Sequence, residues 1–258
     1  MRSKLLILAL SLLPLATFAA SSACPEHYAA GKAPDIVNHK LAAETRELCS
    51  KGFGVMHSGV SRTPLWSAEH LTRANLENAH DMERRNAFHV DTRLPASERA
   101  DLKDYARSGF DRGHMAPSGD MPDEASQFES FALSNMVPQN PNNNRHLWEG
   151  IESAVRKLAI ERGELYVLTG PLFRGSELKR IQGHVLVPSH LFKVVFDPRT
   201  KEAGAYLVEN TDTKAYQRIS IADLEQLAGI NLLPGLAIQT KATVMALPAS
   251  HPYARKRR

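Results

Sequence analysis

One helical stretch followed by a block of strand-like runs constrains the fold of this chain more than any other feature. From Asn142 the apolar residues Leu147, Trp148, Ile151, Val155 and Leu158 recur at helical spacing to about Arg162, where Gly163 stops the pattern. Asn142 to Asn144 supply helix-start chemistry. Strand-like runs follow at 164–169, 184–187, 190–196 and 203–209. Ser220, with Asp223 three residues on, opens a capping-box-like helix to about Ala228. This order of helices and strands predicts an α+β domain with a central mixed or antiparallel sheet.

The first half of the chain gives weaker signals. Residues 35–50 read as a short helix with Ile36, Leu41 and Leu48 on its apolar side. The run 52–59 alternates and predicts an opening strand, continued as extended chain over 62–65 across Pro64. Residues 67–107 are polar and irregular, with a short helix predicted at 97–105; a long polar stretch inside a domain is often functional. Residues 128–138 offer a short extended run. No repeat or low-complexity tract interrupts the sequence.

A chain of 258 residues suits one large domain and can bury a substantial core. Its start has the build of a secretory signal peptide: Arg2 and Lys4, an apolar run over 5–15, then Thr17 and Ala19 before a cleavage point after Ala19. That run is too short for a membrane span, which takes ~20 residues, and no later stretch is long and apolar enough. The expected organisation is a signal peptide at 1–19, an N-terminal segment at 20–50, a main domain at 51–250 and a basic tail at 251–258. Export to the periplasm or the medium makes the two cysteines, Cys24 and Cys49, a candidate disulfide. The alternative is lipidation of Cys24, although Ser21-Ser22-Ala23 lacks the leucine of a lipoprotein signal. Removing 1–19 lowers the formal charge from +4 to +2, and Arg255, Lys256, Arg257 and Arg258 alone supply +4. Charge therefore permits a polyanionic substrate without arguing for one, and a basic tail is more often a solvated end than a binding element.

The segment Asp111-Arg112-Gly113-His114-Met115-Ala116-Pro117 carries the chemistry. A histidine flanked by an arginine and an aspartate is a candidate proton acceptor. Asn144, Trp148 and Glu152 are spaced by four and lie along one side of a helix. An amide oxygen and a carboxylate so placed can hold a hard cation and its waters, an arrangement that suits Mg²⁺. Trp148 reads as a core anchor of that helix, and the remaining histidines have no comparable setting.

The string DRGHMAPSGD, followed by SNMVPQNPNNNRHLWEGIE, resembles the DNA/RNA non-specific endonuclease family, which has the ββα-metal (His-Me finger) fold. The resemblance runs from about Gly52 to Leu233 and continues through LYVLTGPLF and HVLVPSHLFKVVF. It implies a single domain, His114 as general base, Asn144 as metal ligand and Glu152 as holder of metal-bound water. It makes Arg112 the arginine of the signature and Arg85, in RRNAF, the residue that meets the scissile phosphate. Arg84 is the alternative for that last role, and Asn143 the alternative register within the asparagine run. The implied activity is metal-dependent hydrolysis of DNA and RNA to 5′-phosphate products, with Mg²⁺ as cofactor and Mn²⁺ as a substitute. A homodimer and a protein inhibitor are both compatible with the sequence. Two rival readings are a non-catalytic nucleic-acid binder of the same fold and a hydrolase of a small phosphodiester. The complete set of His114, Asn144, Glu152 and Arg85 speaks against the first; a narrow pocket would favour the second.

Overall fold

A computed structural model describes residues 22–250; the expected signal peptide at 1–19 and the expected basic tail at 251–258 lie outside the described residues. The chain runs through β1 (Asp35–Ile36), β2 (Thr45–Cys49), β3 (Gly54–Ser58) and β4 (Thr63–Thr72), then α1 (Arg73–His80) and the single-turn α2 (Leu102–Tyr105). Next come β5 (Asp111–His114), α3 (Glu124–Ser130) and β6 (Met136–Gln139), then a π-helical turn at Asn143–Trp148 that continues as α4 (Glu149–Arg162). After β7 (Glu164–Leu172) follow the short β8 (Arg180–Ile181) and β9 (Val185–Leu186) and the long hairpin β10 (His190–Asp197) and β11 (Glu202–Glu209). The chain closes with β12 (Gln217–Ile219), α5 (Ile221–Ala228), β13 (Ile230–Asn231) and α6 (Ile238–Ala242).

Seven strands form one antiparallel sheet in the order β12-β11-β10-β7-β4-β3-β2. Both faces are covered. Leu165, Val167, Leu191 and Val195 meet Trp148, Ile151 and Val155 on the side of α4. Leu168, Phe192, Val194 and Phe196 meet Ile221 and Leu224 of α5 on the other. Double burial explains why 190–196 reads as nearly continuous apolar sequence rather than a strict alternation. Gly163, at φ +96°, ends α4 as the sequence predicts, and the Ser220 hydroxyl caps α5 through the Asp223 amide.

The first half departs from the sequence expectations. Residues 35–50 are not helical: Ile36 pairs with Ile230, and Thr45–Cys49 is the edge strand of the main sheet, paired with β3. Sheet pairing overrides a weak helical spacing here. Polar β4 continues to Thr72 because its positions facing α4, Ser67 and Glu69, are polar yet fully buried. The run 128–138 splits into the end of α3 and the start of β6. The run 184–187 contributes only the two-residue β9, outside the main sheet.

Cys24 and Cys49 are joined in a disulfide, with Cα atoms 5.7 Å apart. It fastens the N-terminal segment to the edge strand, and Tyr28 packs so closely over Gly54 that a Cβ there would collide with its hydroxyl and crowd the Cys24 sulfur. Closing a loop of 25 residues should stabilise the fold by about 2–4 kcal/mol. Paired Cys24→Ser and Cys49→Ser changes should therefore lower the denaturant midpoint and, by letting the unfolded chain expand, steepen its slope. An unchanged midpoint would show that the sheet edge holds itself.

Candidate active site

β5, β6 and the helix that follows form a compact ββα unit. β5 and β6 pair antiparallel, Asp111 opposite Gln139 and His114 opposite Met136. Gly113 faces the Gln139 side chain so closely that a Cβ would overlap it. Gln139 Nε2 in turn donates to Asn143 Oδ1 at 3.0 Å. The glycine of the DRGH string thus lets Gln139 lie under the asparagine turn. The turn after His114 is pinned by buried Asn135, which accepts from the Ala116 amide and the Ser67 hydroxyl and donates to the Ala116 and Ser130 carbonyls.

The three asparagines have distinct duties. Asn143 is fully buried, and both ends of its amide are occupied: Oδ1 by Gln139 and Nδ2 by the Glu209 carbonyl at 3.1 Å. Asn142 reaches Asp212 at the surface. Asn144 lines the cleft, and its Nδ2 donates to Asp111 Oδ2 at 3.0 Å. Because a carboxylate only accepts, this bond turns Oδ1 away from Asp111, and Oδ1 accepts no hydrogen bond among the described residues. Asp111 also takes a two-pronged contact from Arg145 at 2.6 and 2.8 Å. Burial opposes its ionisation, but Arg145 and Asn144 outweigh that and hold its pKa below the usual carboxylate range. The π-helical turn adds a residue to the first winding, so the spacing by four does not keep a common environment. Asn144 and Glu152 line the cleft while Trp148 is fully buried in the core.

The cleft is open and large, about 1050 Å³. His114 is 8% exposed at its floor, its ring edge-on to Phe131 at 4.9 Å and tilted against Phe88 at 5.7 Å. Nε2 is buried with no hydrogen-bond partner among the described residues. Burial, then the Arg84 and Arg112 cations, lower the imidazole pKa to about 3. Arg112 stacks 4.1 Å over the Phe88 ring. Glu152 lies in the cleft wall, where burial pushes its pKa up to about 7 against the pull of Lys193 and Arg156.

Of the two adjacent arginines, the cleft receives Arg84. Alternate residues of the segment 83–88 face opposite ways: Arg84, Asn86 and Phe88 line the cleft, whereas Glu83, Arg85 and Ala87 line a separate pocket. Arg85 pairs there with Glu124 at 3.1 Å, both side chains exposed. The sequence reading chooses Arg85 for the phosphate contact with Arg84 as the alternative; Arg84 lines the cleft and Arg85 lies outside it. Arg84 sits 5.3 Å from the Phe131 ring centroid, within the aromatic pair that holds His114.

Sequence reasoning also missed a buried charged cluster behind the cleft. Arg156, one turn beyond Glu152, bonds Asp120 at 2.7 Å and so ties α4 to the segment after His114. Lys193, buried mid-strand in β10, donates to Thr169 at 2.7 Å beside Trp148. Glu69 is fully buried, and neither carboxyl oxygen has a hydrogen bond among the described residues. Burial foremost raises its pKa, with Asp120 adding and Lys193 opposing. No local sequence signal announces these residues, because they converge from three strands, a helix and the turn at Ser118–Asp120.

A sheet carrying this ββα unit is the architecture of the ββα-metal nucleases. The family model for DNA/RNA non-specific endonucleases matches residues 33–239. Nuclease C1 of Cunninghamella echinulata var. echinulata is 34% identical over 216 residues, covering 76% of this chain and 86% of that one. Human mitochondrial nuclease EXOG is 31% identical over 238 residues, covering 80% of this chain and 64% of its own longer length. A solved EndoG/EndoGI complex, described as the mechanism of EndoG inhibition, aligns with TM-score 0.68 at 27% identity, covering 76% of this chain and 89% of that one. The chain belongs to the DNA/RNA non-specific endonuclease family, and is a nuclease by that membership.

Proposed function

We propose that this protein is an exported, metal-dependent endonuclease that hydrolyses phosphodiesters in DNA and RNA alike. The observation that carries the reading is His114, which lines an open cleft with Asn144, Glu152, Arg84 and Arg112 and whose Nε2 has no hydrogen-bond partner among the described residues. Neutral imidazole takes a proton from a water as its oxygen attacks phosphorus. The bond from phosphorus to the 3′ oxygen breaks, and that oxygen takes a proton from a second water to leave as a 3′-hydroxyl, the phosphate staying on the 5′ oxygen. Arg84 and Arg112 donate to the non-bridging oxygens as charge builds there. A water nucleophile needs no 2′-hydroxyl, so the sugar is not discriminated. The openness of the cleft favours a polymer over a small phosphodiester, and a base next to a ligand pair is needless in a pure binder.

The donor set fits a hard cation. Asn144 Oδ1 is available, and Glu152 stands in the same cleft as an acceptor for bound water. Among the described residues the only close grouping of three or more His, Cys, Asp or Glu is Cys24, Glu47 and Cys49, whose thiols are joined as a disulfide. The cleft therefore offers few protein ligands, as Mg²⁺ prefers, with Mn²⁺ as a substitute. When bound there, the ion would neutralise charge on the phosphate and the leaving oxygen. The disulfide suits an oxidising compartment, periplasmic or extracellular. No helix among the described residues is long and apolar enough to cross a membrane. An inhibitor protein, of the kind that the EndoG/EndoGI complex describes, is a further candidate partner.

Incubation with supercoiled plasmid and with RNA should degrade both in Mg²⁺ and neither in EDTA. Intact substrates in Mg²⁺ and in Mn²⁺ would refute the reading. Asn144→Ala should raise the Mg²⁺ needed for half-maximal rate by about tenfold or more, and excess metal should restore part of the rate. Asn143→Ala should instead cost about 1–3 kcal/mol of stability by stranding Gln139. The reverse pattern in a metal titration and a melt would move the ligand to Asn143.

A further inference from the structure

We infer that Arg107 is a second contact for nucleic acid, a cation held on the wall of the cleft to grip a phosphate that flanks the scissile one. The inference rests on the proposed nuclease function and deepens it. Four arginines line the cleft, and three of them are engaged within the protein. Arg84 donates to Asn86 at 3.0 Å and leans on Phe131, Arg112 stacks over Phe88, and Arg145 grips Asp111. Arg107 is exposed and has no hydrogen bond, ion pair or ring contact among the described residues. Of the six non-glycine residues at positive φ among those described, it is the one that lines the cleft, at φ +54°. Its Cβ crowds the backbone in that conformation, a cost that glycine would avoid. Strain of this kind persists where the surroundings fix it, and it clusters at ligand clamps.

The surroundings do fix it. Ahead of Arg107, α2 is anchored by the reciprocal cap between Asp101 and Asp104, by the bond of Asp104 to His184 at 2.8 Å, and by buried Tyr105. Behind it, the Ser108 hydroxyl donates to the Tyr105 carbonyl at 2.9 Å and accepts from the Phe110 amide at 3.2 Å. Gly109, at φ +81°, completes the bend, and β5 starts two residues on at Asp111. The turn is thus clasped to the strand that carries Arg112 and His114, and it sets Arg107 at the cleft on a backbone with little freedom. Arg84 and Arg112 are the cations that act on the His114 imidazole, and Arg107 is not among them. It therefore stands away from the reacting phosphate and suits a neighbouring one along the strand. A guanidinium fork there meets two phosphate oxygens without reading the base or the sugar.

The test compares the wild type with R107A, R107G and R107K, and with R85Q, which removes a like charge outside the cleft. Binding of a DNA duplex is measured in EDTA across a salt series. R107A and R107G should weaken binding roughly tenfold at low salt and flatten the log–log slope by about 0.9, or by about 0.7 on single strands. R107K should keep most of the slope, and R85Q all of it. Melting separates the backbone from the charge: R107G should melt above R107A by about 2–4 °C, because only glycine relieves the positive φ. Slopes for R107A and R107G equal to wild type overturn the inference. So does an equal loss of slope in R85Q, which would make the effect one of net charge. So does R107G melting no higher than R107A, because the turn then holds no strain on behalf of the cation. The nuclease function fails separately: a wild type that cuts neither DNA nor RNA in Mg²⁺ or Mn²⁺ refutes it, whatever Arg107 binds.

Discussion

Replacing His114 by alanine is expected to lower turnover by about 10²–10⁴-fold, the usual worth of a general base, while the protein stays folded and still binds DNA in EDTA. The same residue fixes the pH dependence. A free imidazole titrates near pH ~6.5, but burial, Arg84 and Arg112 lower that of His114 to about 3. The base then stays neutral well below pH 6, so kcat/KM should not fall at the pH that sequence alone would suggest. The profile is measured at saturating Mg²⁺, because Glu152, raised to about 7 without metal, would otherwise add an acid limb of its own. Arg112→Gln removes one of the cations and should move the His114 limb to higher pH. Stability has its own sign: a histidine whose folded pKa is depressed favours the folded state above ~6.5 and loses that contribution as pH falls toward the folded value, because only the unfolded chain takes up the proton. His27, His57 and His190 are lowered too, by burial first, and act in the same direction. Acid should therefore destabilise the fold progressively as pH falls below ~6.5. A wild-type limb near 6.5, unmoved by Arg112→Gln, would contradict the placement of His114 as a buried base.

The parts legible in the sequence were those with a strong local period or a contiguous string. α4, its Gly163 stop, the β10–β11 hairpin and the Ser220 cap all depend on neighbours a few residues apart. DRGH and the asparagine run are likewise contiguous. What escaped was set by distant partners. Thr45–Cys49 is a strand because β3 and the disulfide make it one. β4 hides its continuation because Ser67 and Glu69 face a buried polar layer, where a hydrophobic period cannot show. Lys193 looks like an ordinary strand lysine until Thr169 and Trp148 are found around it. The choice between Asn143 and Asn144 is open in sequence because it turns on the Gln139 side chain, which Gly113 admits from the neighbouring strand.

Arg84→Ala is expected to cost about 10²–10³ in kcat/KM, the loss typical of removing one donor from developing charge, whereas Arg85→Ala should change activity by no more than a few-fold. The two side chains are adjacent in sequence but stand on opposite sides of one segment. Arg85→Ala breaks only an exposed pair with Glu124, an interaction worth ~0–1 kcal/mol. Arg84→Ala removes a cation from the wall beside His114, and two consequences follow that a structural lesion would not produce together. Extra Mg²⁺ should not restore the rate, in contrast to Asn144→Ala, because the missing charge acts on the phosphate and not on the ion. The acid limb should shift to higher pH, since Arg84 is one of the two cations that depress the imidazole. Arg84→Lys should recover the limb but only part of the rate: a point charge still repels the imidazolium, yet it lacks the planar fork that meets two phosphate oxygens. If Arg85→Ala carries the large loss instead, the segment 83–88 turns its other edge to the substrate in solution, and the phosphate contact belongs to the neighbouring pocket.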